Sequence, residues 1–251
     1  MLESREALAN QAAVAFKLRG RLALEQHGAF AVALSGGSTP RALFSLLASP
    51  DFCEAIPWVD THVFWVDERC VPPDHPDSNF CEANDLLLTR VPIPAANIHR
   101  MKGELEPHSG ALDYREQLAA YFGGLQTRFD LALLGLGTDG HTASLFPHTQ
   151  ALEVTDSACV ANHVRTAPVS PWRLTLTFPA INTSRAVIFL VAGENKARAV
   201  STMIEGNRAE LPAQGVRLTD GQLVWMLDRA AASKLTRSGS TVQWFDRRSM
   251  I

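Results

Sequence analysis

Short apolar runs recur along the chain at residues 30–34, 62–66, 131–134, 174–178, 187–191 and 224–227. Most are apolar on both faces, the pattern of strands covered from two sides. Helix-type patterns lie between them at 3–26, 41–48, 79–88, 110–122 and 196–204, the first rich in alanine. Alternating strand and helix patterns predict an α/β fold, a sandwich of helices around a mostly parallel sheet. No internal repeat or low-complexity linker breaks the pattern, so residues 1–251 read as a single domain. Residues 241–245 are a candidate last strand at a sheet edge.

Composition narrows the function classes. Hydrophobic residues make up 46% of the 251, enough for a sizeable core. Lys and Arg number 23 against 26 Asp and Glu, a net charge of −3, which argues against a general nucleic-acid binder and leaves room for a local basic pocket. The first residues, Met1-Leu2-Glu3-Ser4-Arg5-Glu6, are charged and open no apolar leader, and no apolar run approaches the roughly 18 residues of a membrane span. A cytoplasmic protein without membrane contact is expected, as a monomer or weak homo-oligomer. Cys53, Cys70, Cys81 and Cys159 form no C-x-x-C pair, and the histidines form no H-E-x-x-H, so neither a disulfide framework nor a metal site is expected. The thiols read as reduced and mostly buried. Cys70 is the exception, because its neighbour Arg69 can make a thiol more reactive.

Ligands of open α/β sheets sit beyond the carboxyl ends of the strands, so polar motifs placed there carry the candidate chemistry. After 30–34 comes Ser35-Gly36-Gly37-Ser38-Thr39-Pro40. Thr39 is read as an N-cap and Pro40 as the first helical residue. Backbone N–H groups at such a helix start attract phosphate, and the missing Gly-Lys-Ser/Thr ending excludes a nucleotide P-loop. After 62–66 comes Asp67-Glu68-Arg69, leading into a long polar, proline-bearing loop that includes Ser78-Asn79. The Arg69 fork can hold an anionic oxygen, and Asp67 can position Arg69 or a substrate hydroxyl.

After 131–134 comes Gly135-Leu136-Gly137-Thr138-Asp139-Gly140-His141-Thr142-Ala143-Ser144-Leu145-Phe146-Pro147. Glycines let the backbone turn sharply, and Asp139 and His141 can act as an orienting acid and a base. The glycine spacing formally matches the dinucleotide fingerprint, but that site needs a helix at the third glycine, and Pro147 would cut such a helix short. Glu153 and Asp156 match its ribose-binding acid only loosely. Arg173 and Lys196 are further candidate phosphate partners.

These motifs in this order, with Arg173-Leu174-Thr175-Leu176-Thr177 and Gly193-Glu194-Asn195-Lys196, strongly resemble 6-phosphogluconolactonase from about residue 3 to 232. The resemblance implies a Rossmann-like three-layer α/β/α sandwich shared with glucosamine-6-phosphate deaminase. It also implies hydrolysis of 6-phosphoglucono-1,5-lactone to 6-phosphogluconate in the pentose phosphate pathway, without metal or nucleotide. The deaminase typically has Asn-Glu-Pro where this chain has Leu145-Phe146-Pro147, and a Tyr where it has Arg69; both differences favour the lactonase. The chain departs from the lactonase pattern at Val169-Ser170-Pro171-Trp172, where many members carry a Lys; Arg165 is the candidate substitute. Residues 238–251 extend past the expected family core.

On this reading His141 is the general base, Asp139 and Asp67 orient His141 or Arg69, and Arg69 stabilises the carbonyl oxygen. The substrate is bound by Ser35, Gly36, Gly37, Ser38, Thr39, Asn79, Arg173 and Lys196, the phosphate by the 35–39 loop with Arg173 and Lys196. The alternatives are an aminosugar-phosphate deaminase or isomerase and a non-catalytic sugar-phosphate sensor.

Overall fold

The computed structural model describes residues 1–124, 126–165, 167, 169–206 and 211–236. The candidate strand at 241–245 and the extension at 238–251 lie outside these residues. Strands β1 (Phe30–Leu34), β2 (Thr61–Trp65), β4 (Leu131–Leu134), β7 (Ala186–Val191) and β8 (Gln222–Leu227) form a parallel sheet in the order β2-β1-β4-β7-β8. β1, β4 and β7 are buried along their whole length, which is why they read as continuous apolar runs. Among these five strands the order is 2-1-3-4-5. The chain therefore reverses direction beside β1, and a crevice opens beyond the ends of β1 and β4.

Helix α1 (Arg5–His27) starts at Ser4, whose hydroxyl accepts from the Ala7 N–H at 3.2 Å, and stops at Gly28 with φ 80°. The other helices are α2 (Ser38–Leu47), α3 (Pro50–Cys53), α4 (Asn79–Leu86), α5 (Pro107–Tyr121), α6 (Phe178–Asn182) and α7 (Ala197–Glu205). The sequence pattern located all but the two short ones.

The run at 174–178 behaves differently from its expectation. It begins at Trp172, ends at Leu176, and as β6 pairs antiparallel in a second sheet, β3-β6-β5, with β3 (Asp67–Arg69) and β5 (Cys159–His163). Leu174 packs toward Gly110 of α5, Arg173 lines the crevice, and Thr175 Oγ1 accepts from the Ser144 N–H at 3.2 Å. Asp67–Arg69 is accordingly a strand rather than the start of a loop.

On the outer strand β2, His62 Nδ1 lies 3.1 Å from His99 Nε2, and the Phe64 ring stacks on His99 at 4.3 Å. Tyr121 packs on both histidines, and Asp60 is the acid that acts on His62. Burial, reinforced by His62, pushes His99 down from 6.5 to about 4. The unfolded chain thus takes up a proton that the fold refuses, and stability held above pH 6.5 is lost as the pH falls toward about 4. In His99→Gln this acid-side loss shrinks, as read from urea midpoints across that window; an unchanged pH profile contradicts the assignment.

Candidate active site

β1 ends at Leu34, and the chain passes through buried Ser35, Gly36 and Gly37 into α2. A Cβ on Gly36 would sit 1.8 Å from Asn79 Oδ1, so only glycine lets this turn meet the first residue of α4. The N-cap is Gly37 with φ 104°, which replaces the expected pair of Thr39 as cap and Pro40 as first residue. Pro40 is tolerated one turn in because the first N–H groups of a helix have no partner within it. The Gly37 N–H donates to Glu82 Oε2 at 3.1 Å, and Glu82 also pairs with Arg41 at 3.1 Å. One donor of this loop is therefore already committed to a carboxylate.

β2 runs directly into β3, which delivers three charged residues. Asp67 is buried; it accepts from Ser144 Oγ at 2.6 Å and from Asn79 Nδ2 at 3.3 Å. Among the described residues its carboxylate hydrogen-bonds Ser144 and Asn79 rather than Arg69, the partner that one of the expected roles required. Glu68 is 2% exposed and accepts from the backbone N–H groups of Arg69, Asn79 and Phe80, each at 2.8 Å, and from Ser78 Oγ at 3.0 Å. Burial pushes its carboxyl up while these four donors pull it down. Arg69 stands opposite Arg173 in the β3–β6 register. Its guanidinium donates to the Asp77 carbonyl, and Arg173 donates to the Trp172 carbonyl at 3.0 Å. Burial and the neighbouring Arg69 both lower the Arg173 pKa. Two like charges facing each other across strands are unfavourable, and an anion between them would relieve that.

After β4 the chain forms a tight loop closed by Gly137 N–H to His141 O (2.8 Å) and Gly140 N–H to Gly137 O (3.1 Å). No helix opens at Gly140, so the nucleotide-binding helix required by the glycine pattern is missing here. Gly140, with φ 79°, packs against Leu211, where a Cβ would come within 2.6 Å of the leucine side chain. His141 Nδ1 lies 2.5 Å from Asp139 Oδ1. Burial pushes the Asp139 carboxyl up, but the charge and hydrogen bonds of His141 outweigh it and hold Asp139 below its usual value. An ionised carboxylate only accepts, so in the neutral ring Nδ1 carries the proton and Nε2 is the acceptor.

After β7, Gly193 turns with φ 100° and its N–H is held by both Asp228 oxygens at 3.1 Å. Leu2 bridges to Asp228, which brings the start of α1 to these strand ends; Arg5 reaches the Gly193 turn, and Lys196 follows it. Burial lowers the Lys196 pKa, against the pull of Asp139.

These loops enclose a cleft of about 450 Å³ at the reversal point of the sheet. Among the described residues, Arg5, Arg69, Arg173 and Lys196 line it, against the single lining carboxylate of Asp67. Such a cleft suits a small, polar, anionic ligand.

The family model described as glucosamine-6-phosphate isomerases/6-phosphogluconolactonase matches residues 3–225. The chain belongs to this family. It is 42% identical over 241 residues to the 6-phosphogluconolactonase of Synechocystis sp., covering 94% of this chain and 97% of that one. It is also 42% identical over 220 residues to the 6-phosphogluconolactonase of Nostoc sp., covering 85% and 88%. The solved structure of 6-phosphogluconolactonase from Trypanosoma cruzi superposes with a TM-score of 0.83 at 29% identity, covering 94% of this chain and 98% of that one.

Within this family fold, eleven of the twelve residues singled out from sequence line the cleft: Ser35, Gly36, Gly37, Ser38, Thr39, Asp67, Arg69, Asn79, His141, Arg173 and Lys196. The twelfth, Asp139, bonds His141 through the imidazole. Arg5, Ser144 and Phe146 also line the cleft and were not expected to; Glu68 is likewise new, as the anchor beneath Arg69 and Asn79. Arg165 lies on an exposed turn after β5 and is not among the lining residues. Cys70 does not match its expectation of reactivity. Burial pushes its thiol up to about 11, outweighing the nearby cation Arg173. Among the described residues no cluster of three or more His, Cys, Asp or Glu is placed to hold a metal ion, and no helix is long and apolar enough to cross a membrane.

Proposed function

We propose that this cleft hydrolyses 6-phosphoglucono-1,5-lactone to 6-phosphogluconate, the lactone-opening step of the pentose phosphate pathway. The observation that carries the reading is the Asp139–His141 pair, which occupies Nδ1 and leaves Nε2 as the acceptor of the neutral ring, on a cleft walled by cations. A lactone is an activated ester, so water can attack C1 without a covalent intermediate. Nε2 takes the proton of the attacking water while negative charge grows on the carbonyl oxygen, where Arg69 stabilises it. The C1–O5 bond then breaks, and the imidazolium returns the proton to the departing O5. Products are a carboxylic acid, which releases its proton to solvent and becomes the carboxylate, and a C5 hydroxyl.

Arg173, Lys196 and the start of α2 at Ser38 and Thr39 hold the 6-phosphate, with Arg5 as a further cation. Asp67 and Asn79 face the sugar hydroxyls. Phosphate binding far from C1 helps fix C1 near the base. A cytoplasmic location and a monomeric or weakly associating state complete the proposal, the latter open to size-exclusion chromatography with light scattering.

The test is the hydrolysis rate of freshly generated 6-phosphoglucono-1,5-lactone with and without the protein. A large acceleration over the spontaneous rate is expected. No acceleration by well-folded protein, together with ammonia release from glucosamine-6-phosphate, replaces this reading with the deaminase; binding of 6-phosphogluconate without turnover of either replaces it with a sensor.

A further inference from the structure

Asp139 fixes one atom of the His141 ring. A single hydrogen bond at Nδ1 sets a point and leaves the ring plane free to rock about it. The plane is held by two other groups. The Phe146 ring lies over the imidazole with centroids 3.9 Å apart and planes 22° from parallel. On the Nδ1 side stands Gly137, where a Cβ would come within 2.1 Å of Nδ1 and 2.4 Å of Cε1.

The local chain is built to keep Phe146 there. Leu145 N–H donates to Thr142 O at 2.9 Å, closing a tight turn that passes through Ala143 at φ 48°. Positive φ is uncommon for alanine and gathers at functional sites. Leu145 is fully buried and anchors the turn, and Thr149 Oγ1 donates to the Phe146 carbonyl at 2.8 Å. The phenyl ring itself stays only partly buried and lines the cleft instead of entering the core. A phenyl group neither donates nor accepts the reacting proton. What it offers is a flat face.

We propose that Phe146 is a positioning residue for the hydrolysis: with Gly137 behind the ring edge, its face sets the imidazole plane so that Nε2 meets the attacking water. The inference rests on the lactonase reading and adds to it a residue that acts through His141. Misplacing a reacting group by about 1 Å costs on the order of 10²-fold in rate. Phe146→Leu, which keeps an apolar side chain and loses the flat face, therefore lowers kcat by about 10- to 100-fold with KM within about twofold. Phe146→Tyr keeps the face and restores kcat.

The experiment pairs these kinetics with proton NMR of the His141 ring, identified by its loss in His141→Gln. In the wild type the Phe146 ring current moves the His141 ring protons upfield. They return downfield in Phe146→Leu and stay upfield in Phe146→Tyr. Wild-type kcat in the leucine variant, equal loss in both variants, or unmoved ring protons overturns the proposal while the lactonase reading stands. A wild-type protein without lactonase activity removes the lactonase reading and this catalytic role with it; the NMR arm then reports only whether the stack exists.

Discussion

Replacing His141 with alanine lowers kcat for lactone hydrolysis by about 10²–10⁴-fold, the usual worth of a positioned general base. Binding of 6-phosphogluconate stays close to wild type in this variant. The separation follows from the layout. The imidazole, held by Asp139 at 2.5 Å, stands on the loop after β4, while Arg173 and Lys196 are carried by β6 and the turn after β7. Removing the base therefore leaves the phosphate partners in place. The loss should appear in kcat and kcat/KM together, as for an interaction made only in the transition state. Single-turnover rates and product titration by calorimetry check both halves. Near-wild-type turnover would remove His141 as the base, and Asp67, the lining carboxylate, would be the next candidate.

Replacing Glu68 with alanine is expected to be the most destabilising change at the site. Its carboxylate receives hydrogen bonds from Arg69, Ser78, Asn79 and Phe80 at 2.8–3.0 Å in a buried position. Truncation leaves these donors unsatisfied at about 1–3 kcal/mol each, less whatever entering water recovers. A net loss of ~3 kcal/mol lowers Tm by about 10 °C in a chain of this size. Glu68→Gln keeps one acceptor oxygen and loses less. Because Glu68 joins β3 to the start of α4, the alanine variant also loosens Arg69 and Asn79, and its KM for the lactone rises. Thermal unfolding read by circular dichroism decides the matter; a Tm within about 2 °C of wild type is incompatible with the network carrying this load.

Glu68 also shows where sequence reasoning stops. A glutamate between an aspartate and an arginine, ahead of a proline-bearing loop, looks solvated, since charged side chains are seldom buried. It is buried because four donors from β3 and the start of α4 converge on it. That convergence exists only once the loop from Cys70 to Asp77 has folded back. Arg5 carries no local signal for a related reason. Nothing near it in the chain is functional, and it reaches the cleft only because Leu2 bridges to Asp228 at the end of β8. Phe146 stands where the resemblance implies a glutamate in the related deaminases, but its stacking on His141 depends on the turn through Ala143.

The alternation of apolar runs with helical patterns was enough to determine the α/β class and to place β1, β4 and β7 within a residue, because strands buried on both faces leave an uninterrupted apolar signature. The polar motifs behind those strands were also legible, since glycines and an Asp-Gly-His segment are local in the chain, although the helix cap fell at Gly37 rather than Thr39. Strand order, the antiparallel pairing of Asp67–Arg69 with Trp172–Leu176, the facing arginines 69 and 173, and the orientation of His141 were settled only by the tertiary structure. Local periodicity reports which faces a segment buries; it carries no record of which distant segment will lie against them, and it is that juxtaposition that turns separate charged residues into one cleft.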